Sequence, residues 1–155
     1  MEGQTGVRFQ TADEGLQRLF DEASRLCRGN LQQFGALRVL VEGGGYEKLW
    51  LETQPMGGEM YLKRDLTVGK NNIAVFLRSQ RADGRLPGSI RWADGRLIPE
   101  FNKLQGFCFP GPALELYYWL GRDEAWLRKV FDCLEAFDDY LWRVRDSDGD
   151  GLLES

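Results

Sequence analysis

The stretch ALRVLVEGGGYEKLWLE, residues 36–52, admits two readings. It is either two short extended segments around a glycine turn or a helix end followed by a loop. Upstream of it the text is plainer. Leu16, Leu19, Phe20, Ala23, Leu26 and Cys27 recur at helical spacing, and Thr11 with Glu14 has the form of a capping box, which predicts an amphipathic helix over 13–28. Gly29 and Asn30 end it.

Downstream, Leu62, Leu66, Gly69, Ile73, Phe76 and Leu77 share one helical face, which predicts a helix over about 63–80. In RADGRLPGSIRWADGRLIPEF the tetrapeptide ADGR occurs twice, from Ala82 and from Ala93. Asp-Gly is a turn former, so this segment reads as a loop or a small β-hairpin and not as a solenoid repeat. Pro112 suits the first turn of a helix through ALELYYWL, stopped by Gly121. Leu127, Val130, Phe131, Leu134, Phe137 and Leu141 define the longest predicted helix, about 123–143. The expected architecture is mainly α: helices joined by long, glycine-rich and aromatic-rich loops, which in a small domain usually carry function.

The bulk numbers narrow the function. The chain has 155 residues, 43% of them hydrophobic and 12% aromatic, enough for one domain that buries about two-thirds of its unfolded surface. Its 20 basic and 24 acidic residues are interspersed and sum to -4, so no basic stripe is laid out for a nucleic acid. No apolar run has the length of a signal peptide or a membrane span, and a cytoplasmic protein is expected. Cys27, Cys108 and Cys133 are odd in number and widely spaced, as buried reduced thiols are. There is no histidine, so proton transfer falls to carboxylates.

The segment LWLETQPMGGEMYLKRDL, residues 49–66, mixes flat apolar rings with polar forks. Trp50 and Tyr61 offer ring faces, Gly57 and Gly58 permit close approach of a backbone, and Arg64 beside Asp65 supplies donors and acceptors suited to sugar hydroxyls. The alternative for that couple is an ordinary salt bridge at a helix start, with the rings in the core. Trp92 is a further wall residue, and the amide of Gln105 in NKLQGFCFPGP suits a hydroxyl or a loop cap. Glu115 and Glu135 read as solvated helix acids. At the end of the chain, Asp146, Asp148, Asp150 and Gly151 match positions 1, 3, 5 and 6 of an EF-hand, but position 12 falls past Ser155. A smaller calcium site formed by the three aspartates and Glu154 is one reading, and an Asx-type turn is the other.

In order and spacing these motifs resemble the (α/α)6-barrel glycosidases, nearest the glucosidase and trehalase group of glycoside hydrolase families 63 and 37. MYLKRDL (60–66) resembles the element whose Trp-Asp or Arg-Asp pair grips the sugar, and DGRLPGSI (83–90) a Gly-x-x-Pro loop. FNKLQGFCFPGPAL (101–114) is similar to the segment with the sugar-binding Gln, and DYLWRVRDSDGDGLLES (139–155) to a loop with the signature DxDGDGLxE. The likeness covers about residues 46–155. Arg64 stands where the two families usually carry tryptophan.

The resemblance implies a partial (α/α)6 toroid of helical hairpins, 1–155 being one unit from the N-terminal part of the barrel. It further implies an inverting two-carboxylate hydrolase acting on glucoside- or mannoside-type oligosaccharides. This chain would supply the sugar-binding residues Trp50, Tyr61, Arg64, Asp65, Trp92 and Gln105 and neither catalytic carboxylate. No cofactor is required beyond the calcium reading. The partners expected are a carbohydrate and, through uncovered helix faces, further copies of the chain, with no nucleic acid and no membrane. The rival from another class is a non-catalytic carbohydrate- or calcium-binding helical module.

Overall fold

In the computed structural model, which describes residues 7–154, the stretch 36–52 is extended wherever it is regular. The elements run α1 (Glu14–Gly29), β1 (Leu31–Phe34), β2 (Leu37–Leu40), β3 (Leu49–Trp50), α2 (Gln54–Tyr61), α3 (Leu66–Leu77), β4 (Ser89–Ala93), β5 (Arg96–Glu100), α4 (Pro110–Trp119) and α5 (Glu124–Arg145). Residues 1–6, part of the start read as leader-free, lie outside the described residues, as does Ser155.

The mainly α toroid of helical hairpins is therefore corrected. Among the described residues the fold is a mixture of five helices with two small antiparallel sheets. The reason is visible in LRVL: Leu37 and Val39 are buried while Arg38 between them is exposed, the period of a strand with one face on a core. β1 pairs with β2, Leu31 opposite Leu40 and Phe34 opposite Leu37. The second sheet has the order β3-β4-β5, with Leu49 opposite Ile90 and Trp92 opposite Leu97. Its β4–β5 turn is the second ADGR, with Asp94 at φ 52 and Gly95 at φ 71, the left-handed pair that a tight hairpin needs. The first ADGR is a loop packed on α5.

Caps set the helix starts. Asp13 precedes α1 and its carboxylate accepts the N–H groups of Gly15 and Leu16 at 2.8 and 3.0 Å, so the Thr11 capping box is replaced by an Asp cap. Asp65 caps α3 by accepting the Val68 N–H at 3.1 Å, and Asp123 caps α5 through the Trp126 N–H at 3.1 Å. The expected helix over 63–80 thus begins at Leu66, and a separate helix, α2, precedes it. The predicted inward leucine face of α1 is also corrected: Leu16, Leu19 and Leu26 are exposed, and Ser24 is the helix's buried residue.

α3 is the hub. Val68, Ile73, Val75 and Phe76 are buried, and β2, α2, α4 and α5 pack around them. Each such side chain contributes about 1.5–3 kcal/mol relative to exposure. Phe76 meets Phe109 edge-on at 6.4 Å between ring centres, which ties α3 to the start of α4. α2 crosses α3 at Gly58 and Gly69: a Cβ on Gly58 would stand 2.9 Å from the Asn72 Cβ and 3.0 Å from the Gly69 carbonyl oxygen. Gly58 therefore serves helix packing, and not the approach to a ligand expected of it. No helix among the described residues is long and apolar enough to cross a membrane.

Candidate functional site

A hollow of about 870 Å³ lies where the head of α3 meets one flank of α1 and the outer face of β2. Three residues chosen from the sequence, Tyr61, Arg64 and Asp65, line it together. Tyr61 ends α2, and burial pushes its hydroxyl above the usual tyrosine pKa. Arg64 lies in the short link before α3, with its guanidinium 5.9 Å from the centre of the Phe20 ring. Asp65 is held twice: one oxygen accepts the Val68 N–H, and the other pairs with Arg38 Nη1 at 3.5 Å. A carboxylate committed in this way serves as a fixed acceptor, not as a mobile acid or base.

Sequence reasoning missed the opposite wall. Gln17, Asp21, Ser24 and Arg28 on α1 line the hollow, and they fall at i, i+4, i+7 and i+11, a polar stripe that was legible beside the leucines. Arg38 was also missed. It is the outward residue of a strand, and its role depends on how β2 lies against α3. Ser24 Oγ is buried without a hydrogen-bond partner in this wall. Arg8, Arg28, Arg38 and Arg64 line the cleft with Asp21 and Asp65, an excess of positive charge.

The remaining sequence-chosen residues lie elsewhere. Trp50 and Gln105 line a second hollow of about 90 Å³, with Lys48, Ser89 and Glu100. Glu100 accepts from Lys48 Nζ at 2.6 Å, Ser89 Oγ at 2.7 Å and Arg91 Nε at 3.2 Å. Those bonds, that of Lys48 foremost, hold its pKa below the ordinary glutamate value, so it is an anchored anion of the sheet. The indole N–H of Trp50 is buried without a partner. Trp92 lines neither hollow: its ring covers Gly35 and tilts against Phe34 at 6.4 Å, in the packing between the two sheets.

The carboxylate oxygens of Asp146, Asp148 and Asp150 lie within 4.8 Å of one another, close enough to hold an ion. Glu154 does not join them. It accepts the Ser147 N–H at 3.0 Å and the Ser147 hydroxyl at 2.6 Å, which lowers its pKa, and it staples the loop instead. Asp148 and Asp150 also accept backbone N–H groups two residues on, so the Asx-turn reading describes the same residues. No disulfide joins the three cysteines, and burial pushes the Cys133 thiol up to about 12. Compared with models of protein families, with curated proteins and with solved structures, the chain matches none.

Proposed function

We propose that the chain binds a carbohydrate in the cleft between α1, β2 and the head of α3, as the binding share of an inverting glycoside hydrolase. The observation that carries this reading is the convergence of Tyr61, Arg64 and Asp65 on one hollow of about 870 Å³. Arg64 offers forked donors, the Asp65 carboxylate a fixed acceptor, and Phe20 and Tyr61 apolar surface, which together match a sugar ring edged with hydroxyls. Four guanidinium groups against two carboxylates rank a saccharide bearing a carboxylate or phosphate above neutral glucosides and mannosides. The absence of any disulfide among the three thiols supports a reducing, cytoplasmic setting.

Calorimetric titration of the full chain with neutral and uronic-acid oligosaccharides tests it. Binding is expected, tighter for the acidic set and weakened by salt. Arg64→Ala is expected to cost about 1–3 kcal/mol of that binding, with unchanged circular dichroism. Asp65→Asn keeps an acceptor for the Val68 N–H and should cost less than Asp65→Ala. If no saccharide binds, or Arg64→Ala binds as the wild type does, the reading fails.

The rival reading, a calcium-binding module, is favoured by the aspartate cluster. Hard oxygen donors at that spacing suit calcium. It predicts that calcium, and not magnesium, raises the thermal midpoint, and that Asp148→Asn abolishes the rise. An unchanged midpoint leaves the cluster as a turn.

A further inference from the structure

We propose that α5 is a self-pairing helix, through which two copies of this chain associate antiparallel about a two-fold axis. α5 carries two stripes at alternating four- and three-residue spacing. Trp126, Val130, Cys133, Phe137 and Tyr140 are buried and face the core of their own chain. One residue further on, Leu127, Phe131, Leu134, Asp138 and Leu141 repeat the same spacing at the edge of that core: the three leucines are half-buried, and Phe131, 53% exposed, and Asp138 project from it. That spacing is the seam a second helix fills by knobs-into-holes packing, at a crossing of about 20°. Over its 22 residues the helix is about 33 Å long, ample for such a seam.

The charges beside the seam choose the occupant. Glu124 and Arg128 flank its first half and Glu135 its second, with Asp138 inside it. Among the described residues none of these four forms an ion pair within the chain. Laid antiparallel on a second copy, Phe131 meets Leu134 of the other helix and Arg128 meets Glu135. Asp138, the acid inside the seam, then lies beside Leu127 and Arg128 of the other copy, a polar seam residue of the kind that fixes register. The two-fold repeats every one of these contacts, so one surface is its own complement. The hollow of about 460 Å³ beside Leu134, walled by Phe107 and Pro110, receives the Phe131 ring of the other copy. A parallel arrangement would put like charges in the same layer and is disfavoured. This inference is independent of the sugar cleft, which lies on α1, β2 and α3.

Sedimentation velocity of the full chain over about 1–200 µM tests it, a span that brackets affinities of a small helix-pair interface. The expected result is a monomer–dimer equilibrium within that span. Phe131→Glu, at an exposed position, is expected to leave circular dichroism unchanged and abolish the dimer. Arg128→Glu and Glu135→Arg should each weaken association at least about tenfold, since each brings like charges together twice, and the two combined should restore it. A monomer at every concentration overturns the proposal, as does a dimer indifferent to Phe131→Glu. So does failure of the double exchange to recover, or a monomer whose α5 face instead takes up a helix of another protein.

Discussion

Asn72→Ala is expected to destabilise the protein by about 3–5 kcal/mol, read as a fall in the urea midpoint at unchanged slope. Asn72 is fully buried in α3, and its amide is spent completely. Its Oδ1 accepts the Leu40 N–H at 2.9 Å, and its Nδ2 donates to the Leu40 carbonyl at 3.0 Å, the Gln54 carbonyl at 3.3 Å and Gln54 Oε1 at 3.0 Å. One side chain thereby clasps the end of β2 and the start of α2 to the middle of α3. Truncation leaves buried groups of Leu40 and Gln54 unpaired, and each such group costs about 1–3 kcal/mol. Because β2 carries Arg38 and α3 is capped by Asp65, the same change should loosen the cleft and lower saccharide binding together with stability. A loss under about 1 kcal/mol would show that water satisfies these groups as well as Asn72 does.

Gly84→Ala should cost about 2–4 kcal/mol, in the same measurement, for a different reason. Gly84 has φ +94, and a Cβ there would stand 2.0 Å from the Ala136 carbonyl oxygen on α5. The obstacle is helix backbone, which cannot rotate aside. The loop is also pinned by Gln80 Nε2, which donates to the Gly84 carbonyl and to the Cys133 carbonyl, both at 2.8 Å. Arg143 donates to the Asp83 carbonyl at 2.8 Å. Lifting the loop off α5 breaks these bonds, so strain and lost contacts add. The equivalent change in the second copy of the tetrapeptide, Gly95→Ala, meets no atom within 4 Å and should cost only the strain of its positive φ. Equal losses at the two sites would contradict this account.

The two ADGR tetrapeptides also show where local reading stops. Both announce a turn, yet one closes the β4–β5 hairpin and the other is pressed into α5. Four residues encode the bend, while the surface that receives it is set from more than fifty residues away. Arg64 and Asp65 were recognisable as a polar couple next to aromatic rings. Their shared cleft was not, because its other wall comes from α1 and from Arg38 on β2. Trp92 carried the same aromatic signal as Tyr61 and proved to be packing between sheets, since ring chemistry alone does not distinguish a binding face from a core face.

What the amino-acid order determined unaided is whatever closes within about one helical turn or one tight hairpin. That includes the period of α5, the stop at Gly121 and the Asp-Gly bend. Their hydrogen bonds join residues at most a few positions apart, so the pattern is complete in any short window. Tertiary structure alone decided which way α1 turns, that 37–40 and 49–50 are strands, that β3 pairs with β4, and that two acids, a tyrosine and several arginines share one hollow. Those outcomes depend on contacts between distant segments competing for the same core, and an extended apolar run is neutral between strand and helix until a partner offers it hydrogen bonds.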